Sequence, residues 1–385
     1  MSRLTVSEQR LIHLMRIGFG IVEKPFELKP ITDAAWAETV RLAEEHDVSA
    51  WLYFVLKDSD SITQIPLQVR EHLRAAFLKR SVNLQLREAQ LARLLPLLVQ
   101  DGINPIFLKG AALAYTVYPN PICRGMGDLD LWVTADEMLR AQAILEAMGY
   151  QWRDKSDRPF EIQKRLGGEV QLFGGNMIDG MIELHWSAFP GEWMWRTAHV
   201  DEEGIRNRAR RGQLGPQSVL VFSPEDTLIQ LAAHFAISHQ LGSPWLRALL
   251  DMALLIQMNT IQWNWVIQRA HSWRLASMMY LVLSLLHELI GQPSKQILNQ
   301  LSPVLPHRAI IERMANLASV AKKRDIRGGP RRFLFLLLII DRWQDVLRLL
   351  GRALWPESEW LQARYGRSGL GVQLQHLAHA AVGRI

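Results

Sequence analysis

The stretch GMGDLDLWV, residues 125–133, carries two carboxylates two positions apart in an otherwise apolar run. On a strand, side chains i and i+2 point the same way, so Asp128 and Asp130 share one face and Leu129 and Leu131 the other, against the core. Two unpaired carboxylates that close repel and raise each other's pKa. A divalent cation removes that cost, and the hard ions Mg²⁺ and Mn²⁺ prefer oxygen ligands. Two such ions can bridge the attacking and leaving oxygens of a phosphoryl transfer. A third carboxylate has to come from a neighbouring strand. Glu183 in MIELHW is the best candidate, lying between Ile182 and Leu184. His185 shares its face, with three roles open: orienting Glu183, touching substrate, or sitting satisfied in the interior. The plain alternative for the Asp pair is a solvent-facing edge strand or a turn cap.

Two cationic positions precede the pair. Lys109 and Gly110 sit at a strand-to-helix turn, where backbone N–H groups and a helix N-terminus can cradle phosphate. Lys109 either adds a point charge to that cradle or closes a salt bridge. Arg124, with Gly125 and Gly127, lies just before the strand, and its fork can hold a phosphate or brace an aspartate.

These residues need elements to position them. PIFLKG reads as a short strand entering a turn, AALAYTVY as the helix after it, and DLDLWV as a second strand. TADEMLRAQAILEAMGY reads as a helix with Thr134 at its N-cap, Glu137 completing a capping box and Gly149 ending it. FEIQKR, EVQLF and MIELHW read as strands. On either side the apolar spacing is helical, from ITDAAWAETVRLAEEHDVSAWLYFVLK and the segment after Pro66 to SPEDTLIQLAAHFAISHQ and beyond. The fold class expected is α+β: a small mixed-sheet core flanked by N-terminal and C-terminal helical blocks. The boundaries expected are 1–95 for the N-terminal helices, 96–200 for the core, 201–366 for the C-terminal helical domain and 367–385 for a tail.

The span FLKGAALAYTVYPNPICRGMGDLDLWV resembles the signature of the uncharacterised nucleotidyltransferase family, within the polymerase-beta-like nucleotidyltransferase superfamily. That family's Lys-Gly turn falls on Lys109 and Gly110, its Tyr-Pro on Tyr118 and Pro119, its arginine on Arg124, and its Gly-Asp-x-Asp strand on Gly127, Asp128 and Asp130. The later Asp-x-His-Trp element falls on Glu183, His185 and Trp186. SPEDTLIQLAAHF, LRALLDMALL and WPESEWLQARYG resemble the family's helical C-terminal half. The likeness spans roughly residues 10–366 and is strongest over 106–186. Two positions depart from the pattern: Ala111 stands where the superfamily's phosphate-binding turn carries a hydroxyl, and Glu183 stands where aspartate is more usual.

The resemblance implies transfer of a nucleotidyl group from an NTP to an acceptor hydroxyl, with pyrophosphate released. Asp128, Asp130 and Glu183 would be catalytic and would hold Mg²⁺ or Mn²⁺, with Glu183 also activating the acceptor. Lys109, Gly110, Arg124, Gly127 and His185 would contact the nucleotide, taken as ATP. Relatives often lie beside genes for modified peptides, lasso peptides among them, which favours a peptide or small-molecule acceptor over tRNA. The alternative from another class is a non-catalytic nucleotide-binding or partner-binding protein on the same fold.

Composition narrows the setting. The chain has 385 residues, 49% hydrophobic and 21% charged, which suits a soluble globular protein of two or three units. A single cysteine, Cys123, excludes an internal disulfide and any thiolate cluster holding zinc or iron–sulfur, and suggests a reducing compartment, most simply cytoplasm. The N-terminus lacks a signal-peptide pattern, and the apolar run at 333–340 is too short to span a bilayer, so no membrane partner is expected. The net charge of +6 favours an anionic partner only slightly. The basic clusters RNRARR at 206–211 and KKRDIRGGPRR at 322–332 read as solvated loops or, alternatively, as docking points for a phosphate-rich acceptor or a nucleotide tail. His234 and Asp251 sit in apolar helical patterns and need partners. A His234–Asp251 or Arg247–Asp251 pair is expected, the other reading being that these helices close over the cleft. IQWNWVIQRAHSW offers tryptophans for helix packing or for stacking a base.

Overall fold

The computed structural model describes residues 3–21, 32–59, 62–63, 65–153, 167–176, 179–322 and 329–381. Four helices lead: α1 (Val6–Gly18), α2 (Asp33–Glu45), α3 (Ser49–Leu56) and α4 (Leu67–Gln100). Thr5 caps α1 in a capping box with Glu8, satisfying two N–H groups that the helix start leaves open. The start of α4 packs on α3. Its far end presents Leu91, Leu94, Leu95 and Leu98 to the sheet, at the three- and four-residue spacing that builds one helix face.

Among the described residues the sheet has seven strands: β1 (Ile106–Phe107), β2 (Asp128–Trp132), β3 (Gln151–Arg153), β4 (Glu169–Phe173), β5 (Met181–His185), β6 (Arg210–Leu214) and β7 (Gln217–Val221), in the order β3-β4-β5-β2-β1-β7-β6. It is mixed, as expected: β2 runs parallel to β5 and β1 to β7, while the other pairs are antiparallel. Strand alternation sends Leu129 and Leu131 of β2, Val170 and Leu172 of β4, and Ile182 and Leu184 of β5 into one core. That core is shared with the end of α4, with α5 (Lys109–Thr116) and with α6 (Met138–Ala147). The opposite face of the central strands therefore carries Asp128, Asp130, Glu169, Gln171, Glu183 and His185.

Beyond the sheet, α7 (Glu192–Thr197) and α8 (Glu202–Asn207) lead into the β6–β7 hairpin. The C-terminal helices follow, including α9 (Pro224–Ala233), a π-helical turn over His234–Ser238, and α10 (Trp245–Met258). Their apolar faces merge with α1–α3 in a second core that also receives Trp132 and Phe222 from the sheet. No helix among the described residues is long and apolar enough to cross a membrane.

Local differences from the sequence reading have physical reasons. PIFLKG yields only two paired residues, because Leu108 already caps α5. The helix expected from Thr134 begins at Met138 with Glu137 at its N-cap. Thr134 and Glu137 close a turn instead: the Thr134 N–H donates to Glu137 Oε2 at 2.8 Å, and the Thr134 side chain is engaged with Asp136. FEIQKR, 160–165, lies outside the described residues.

Candidate active site

The register between β2 and β5 sets Asp130 beside Glu183 and Trp132 beside His185. Parallel neighbours with equal side-chain direction place both carboxylates on one face, about 5 Å apart at the backbone. Asp130, Glu183 and His185 are all buried, and each offers one ligand atom within 4.8 Å of the others. Asp128 is half-buried at the start of β2. Lys109, the first residue of α5, reaches in from the adjacent strand's end. Its Nζ donates to Asp130 Oδ1 at 2.6 Å and to Glu183 Oε2 at 3.3 Å. Its backbone has φ +46°, a left-handed conformation that costs a residue with a Cβ about 1 kcal/mol. Strain of this kind concentrates where geometry serves function.

The carboxylates are held from behind. His185 Nε2 lies 3.0 Å from Asp130 Oδ1 and 3.7 Å from Glu183 Oε2, and its Nδ1 lies 3.4 Å from Glu169 Oε2. Gln171 Nε2 donates to Glu183 Oε1 at 2.7 Å. Burial opposes the charged form of Lys109, but Asp130, Glu183 and Glu169 together outweigh it and hold the ammonium protonated above its ordinary range. Burial and Lys109 likewise oppose a charge on His185, yet its bonds to Asp130 and Glu183 and the charge of Glu169 raise its pKa. Four carboxylates thus share one ammonium and one imidazole. A buried site with that excess of negative charge and with oxygen donors foremost fits a hard divalent cation. Lys109 Nζ sits against the oxygens such a cation would take.

Burial, reinforced by repulsion from Asp130 and Glu183, outweighs Lys109 and Arg124 and pushes Asp128 up to about 6. A carboxyl whose folded pKa exceeds its unfolded one loses stability on ionising. The loss is complete above pH 6 and vanishes below the unfolded value near 4, so this group favours the metal-free fold as pH falls. Asp128→Asn is therefore expected to stabilise the metal-free protein at pH 7 by on the order of 2 kcal/mol, with the gain shrinking toward pH 4. Urea melts of both proteins in chelator, at pH 7 and pH 4.5, measure this; a constant difference would refute it.

Lys109 therefore closes a salt bridge here, one of the two roles the sequence leaves open. Arg124 braces an aspartate: its Nε and Nη2 donate to Asp251 Oδ1 and Oδ2 at 2.8 and 3.0 Å, and Tyr118 Oη donates to Oδ1 at 2.7 Å. The expected partners of Asp251 are corrected by this. Arg247 turns to Asp47 at 2.7 Å, and His234 Nε2 meets His239 Nε2 at 3.0 Å. The π turn explains the histidine pair, since its His239 N–H to His234 C=O bond stacks residue i+5 over residue i. His234 also borders a small cavity that Lys109, Phe189 and Gln230 line. Gly110 packs under Arg124, whose Nη1 would lie 3.4 Å from a Cβ there, whereas Gly127 faces open space.

Glu169 and Gln171 escaped the sequence reading, although EVQLF alternates with the period that marks their face. Of the basic clusters, the first is not a loop: it spans the end of α8 and β6. Arg206 covers the Trp132 ring at 4.6 Å, and Arg208 forks onto Asp226 at 3.1 and 3.3 Å. Residues 323–328 of the second lie outside the described residues. The tryptophans of 261–273 divide, Trp273 packing edge-on against Phe189 in the core and Trp265 lying exposed near Arg269.

A family model described as "Uncharacterised nucleotidyltransferase" matches residues 32–291. No curated protein matches the sequence. Among solved structures, the chain is similar to the solution structure of antibiotic-resistance factor ANT(2'')-Ia, at 13% identity and a TM-score of 0.31, over 46% of this chain and 84% of that one.

Proposed function

The chain belongs to the uncharacterised nucleotidyltransferase family, and from that premise we propose that it transfers a nucleotidyl group from an NTP to the hydroxyl of a peptide or small-molecule acceptor, releasing pyrophosphate. One observation carries the reading: the β2–β5 register that seats Asp130 beside Glu183 on the face of Asp128. In this reading Asp128, Asp130 and Glu183 hold Mg²⁺ or Mn²⁺, with His185 and Gln171 fixing the carboxylates. When bound, the divalent ions offset charge on the triphosphate and polarise the acceptor oxygen. Glu183 takes the acceptor's proton. The acceptor oxygen bonds to the α-phosphorus as the bond to the bridging oxygen breaks, and pyrophosphate leaves with that electron pair. With a cation held by these carboxylates, the Lys109 ammonium would be released from Asp130 and Glu183 and would offset charge on the departing phosphates, beside the N–H groups that open α5. Positioning the two reactants in line supplies most of the acceleration.

The test is pyrophosphate release from purified protein with Mg²⁺, each NTP in turn beginning with ATP, and a panel of hydroxyl-bearing peptides and metabolites. Tight NTP binding without turnover across a broad panel would favour a binding protein instead. Lys109 gives a sharper check, because it competes with the cation for Asp130 and Glu183. Lys109→Met is expected to bind Mn²⁺ about tenfold more tightly, the scale of one charged hydrogen bond, while losing turnover. Weaker Mn²⁺ binding, read by calorimetry, would contradict the displacement of Lys109 by metal.

A further inference from the structure

Three guanidiniums from three separate parts of the chain meet beside the loop that enters β2. Arg80 comes from α4, Arg124 from the loop itself and Arg247 from α10. Arg80 lies so close to the loop that a Cβ on Gly125 would collide with its guanidinium, and Arg124 packs on Gly110 at the start of α5. Among the described residues, two aspartates face the three in direct contact. Arg124 and Tyr118 fill Asp251. Asp47 is divided, Oδ1 to Arg80 and Oδ2 to Arg247.

Asp251 and Asp128 also act on Arg247, but they do not offset its burial and the charge of Arg124. Burial, followed by repulsion from Arg124, lowers the pKa of Arg247 to about 10. Burial and the charges of Arg124 and Arg247 lower that of Arg80 as well. A purely structural clamp would match charges, whereas here two cations split one carboxylate. Both remain reachable from solvent, with side chains 28% and 26% exposed. The position also has a direction. The chain of contacts runs from Lys109–Gly110 through Arg124 and Gly125 to Arg80, Asp47 and Arg247, and the charge of Asp128 is felt by both Arg124 and Arg247.

We propose that Arg80 and Arg247, held apart by Asp47, form a polyphosphate subsite that receives the distal phosphates of the nucleotide. The identity of the polyanion as an NTP tail rests on the nucleotidyl-transfer reading; the anion site itself does not. Forked guanidiniums suit phosphate oxygens bidentately, and a partly desolvated setting strengthens each contact. Asp47 acts as a placeholder that keeps the two cations in position until the phosphates arrive. The N-terminal region thereby becomes part of the nucleotide site, since Asp47 lies in the turn between α2 and α3 and Arg80 on α4.

The test is calorimetric titration of inorganic tripolyphosphate, without metal, into the full-length protein. Arg80→Gln and Arg247→Gln are each expected to weaken binding about tenfold or more, and raising salt should weaken the wild type in proportion. Asp47→Asn is expected to tighten binding severalfold. A misfolded variant cannot produce that gain, and asparagine tolerates the left-handed backbone of Asp47, φ +55°. Unchanged affinity in both glutamine variants, or no gain in Asp47→Asn, overturns the subsite. The same proteins titrated with NTP and Mg²⁺ separate the two ideas. Arginine-dependent tripolyphosphate binding in a protein that takes no NTP supports the anion site and sinks the transfer reading. Equal NTP affinity in wild type and both glutamine variants leaves the transfer reading intact and removes the arginines.

Discussion

Asp130→Asn is expected to lower metal-dependent pyrophosphate release by about a thousandfold, the scale seen when one preorganised polar group is removed from a dry site. Asp130 is the carboxylate on which the site converges, touching Lys109 at 2.6 Å and His185 at 3.0 Å. The amide keeps the shape and one acceptor oxygen, so packing survives. It loses the charge that would hold a cation and that now holds Lys109 protonated. The near-ultraviolet circular dichroism of the variant should match the wild type, while Mn²⁺ affinity falls alongside turnover. Activity within tenfold of the wild type would take Asp130 out of the chemistry and with it the proposed metal site. Asn at Asp128 should cost less activity, because that carboxylate lies outside the tight donor group and is half-buried.

The second large effect is on stability. Asp251→Ala strands the buried Arg124 guanidinium and the buried Tyr118 hydroxyl without their acceptor. Removing one partner of a buried ion pair typically costs about 3–5 kcal/mol, because the remaining charge has no compensation. For a protein of this size the melting temperature should drop by about 5 °C. Replacing both partners, Arg124→Met with Asp251→Leu, should recover much of that loss, since the desolvation of two charges is removed together. Thermal melts of the three proteins decide it; a drop below about 1 °C for Asp251→Ala would mean that the pair contributes little to joining the sheet to α10.

The face that carries the carboxylates was readable because strand geometry is local. A period of two residues assigns Asp128 and Asp130 to one side and Leu129 and Leu131 to the other with no knowledge of the rest of the fold. The same rule reaches Glu183 and His185, and would have reached Glu169 and Gln171. Helix starts were less legible: at Thr134 a competing turn, closed by Glu137 and Asp136, delays α6 to Met138. Partners of buried charges were legible only in kind: a salt bridge at Lys109 and an aspartate at Arg124 were among the open roles, but the partner of Asp251 was not. Asp251 was given His234 or Arg247 on grounds of helical spacing, but the nearest guanidinium in space comes from Arg124, more than a hundred residues earlier.

The order of residues alone thus dictated which side chains could share a face, and the mixed α and β character that presents them, since both follow from repeats of two or about four residues. Which faces meet was a decision of the folded chain. The β2–β5 register joins Asp130 to Glu183, the end of β1 delivers Lys109 between them, and three distant segments bring Arg80, Arg124 and Arg247 to one loop. Coulomb interactions depend on distance through space and on burial, and neither quantity is carried by separation along a sequence.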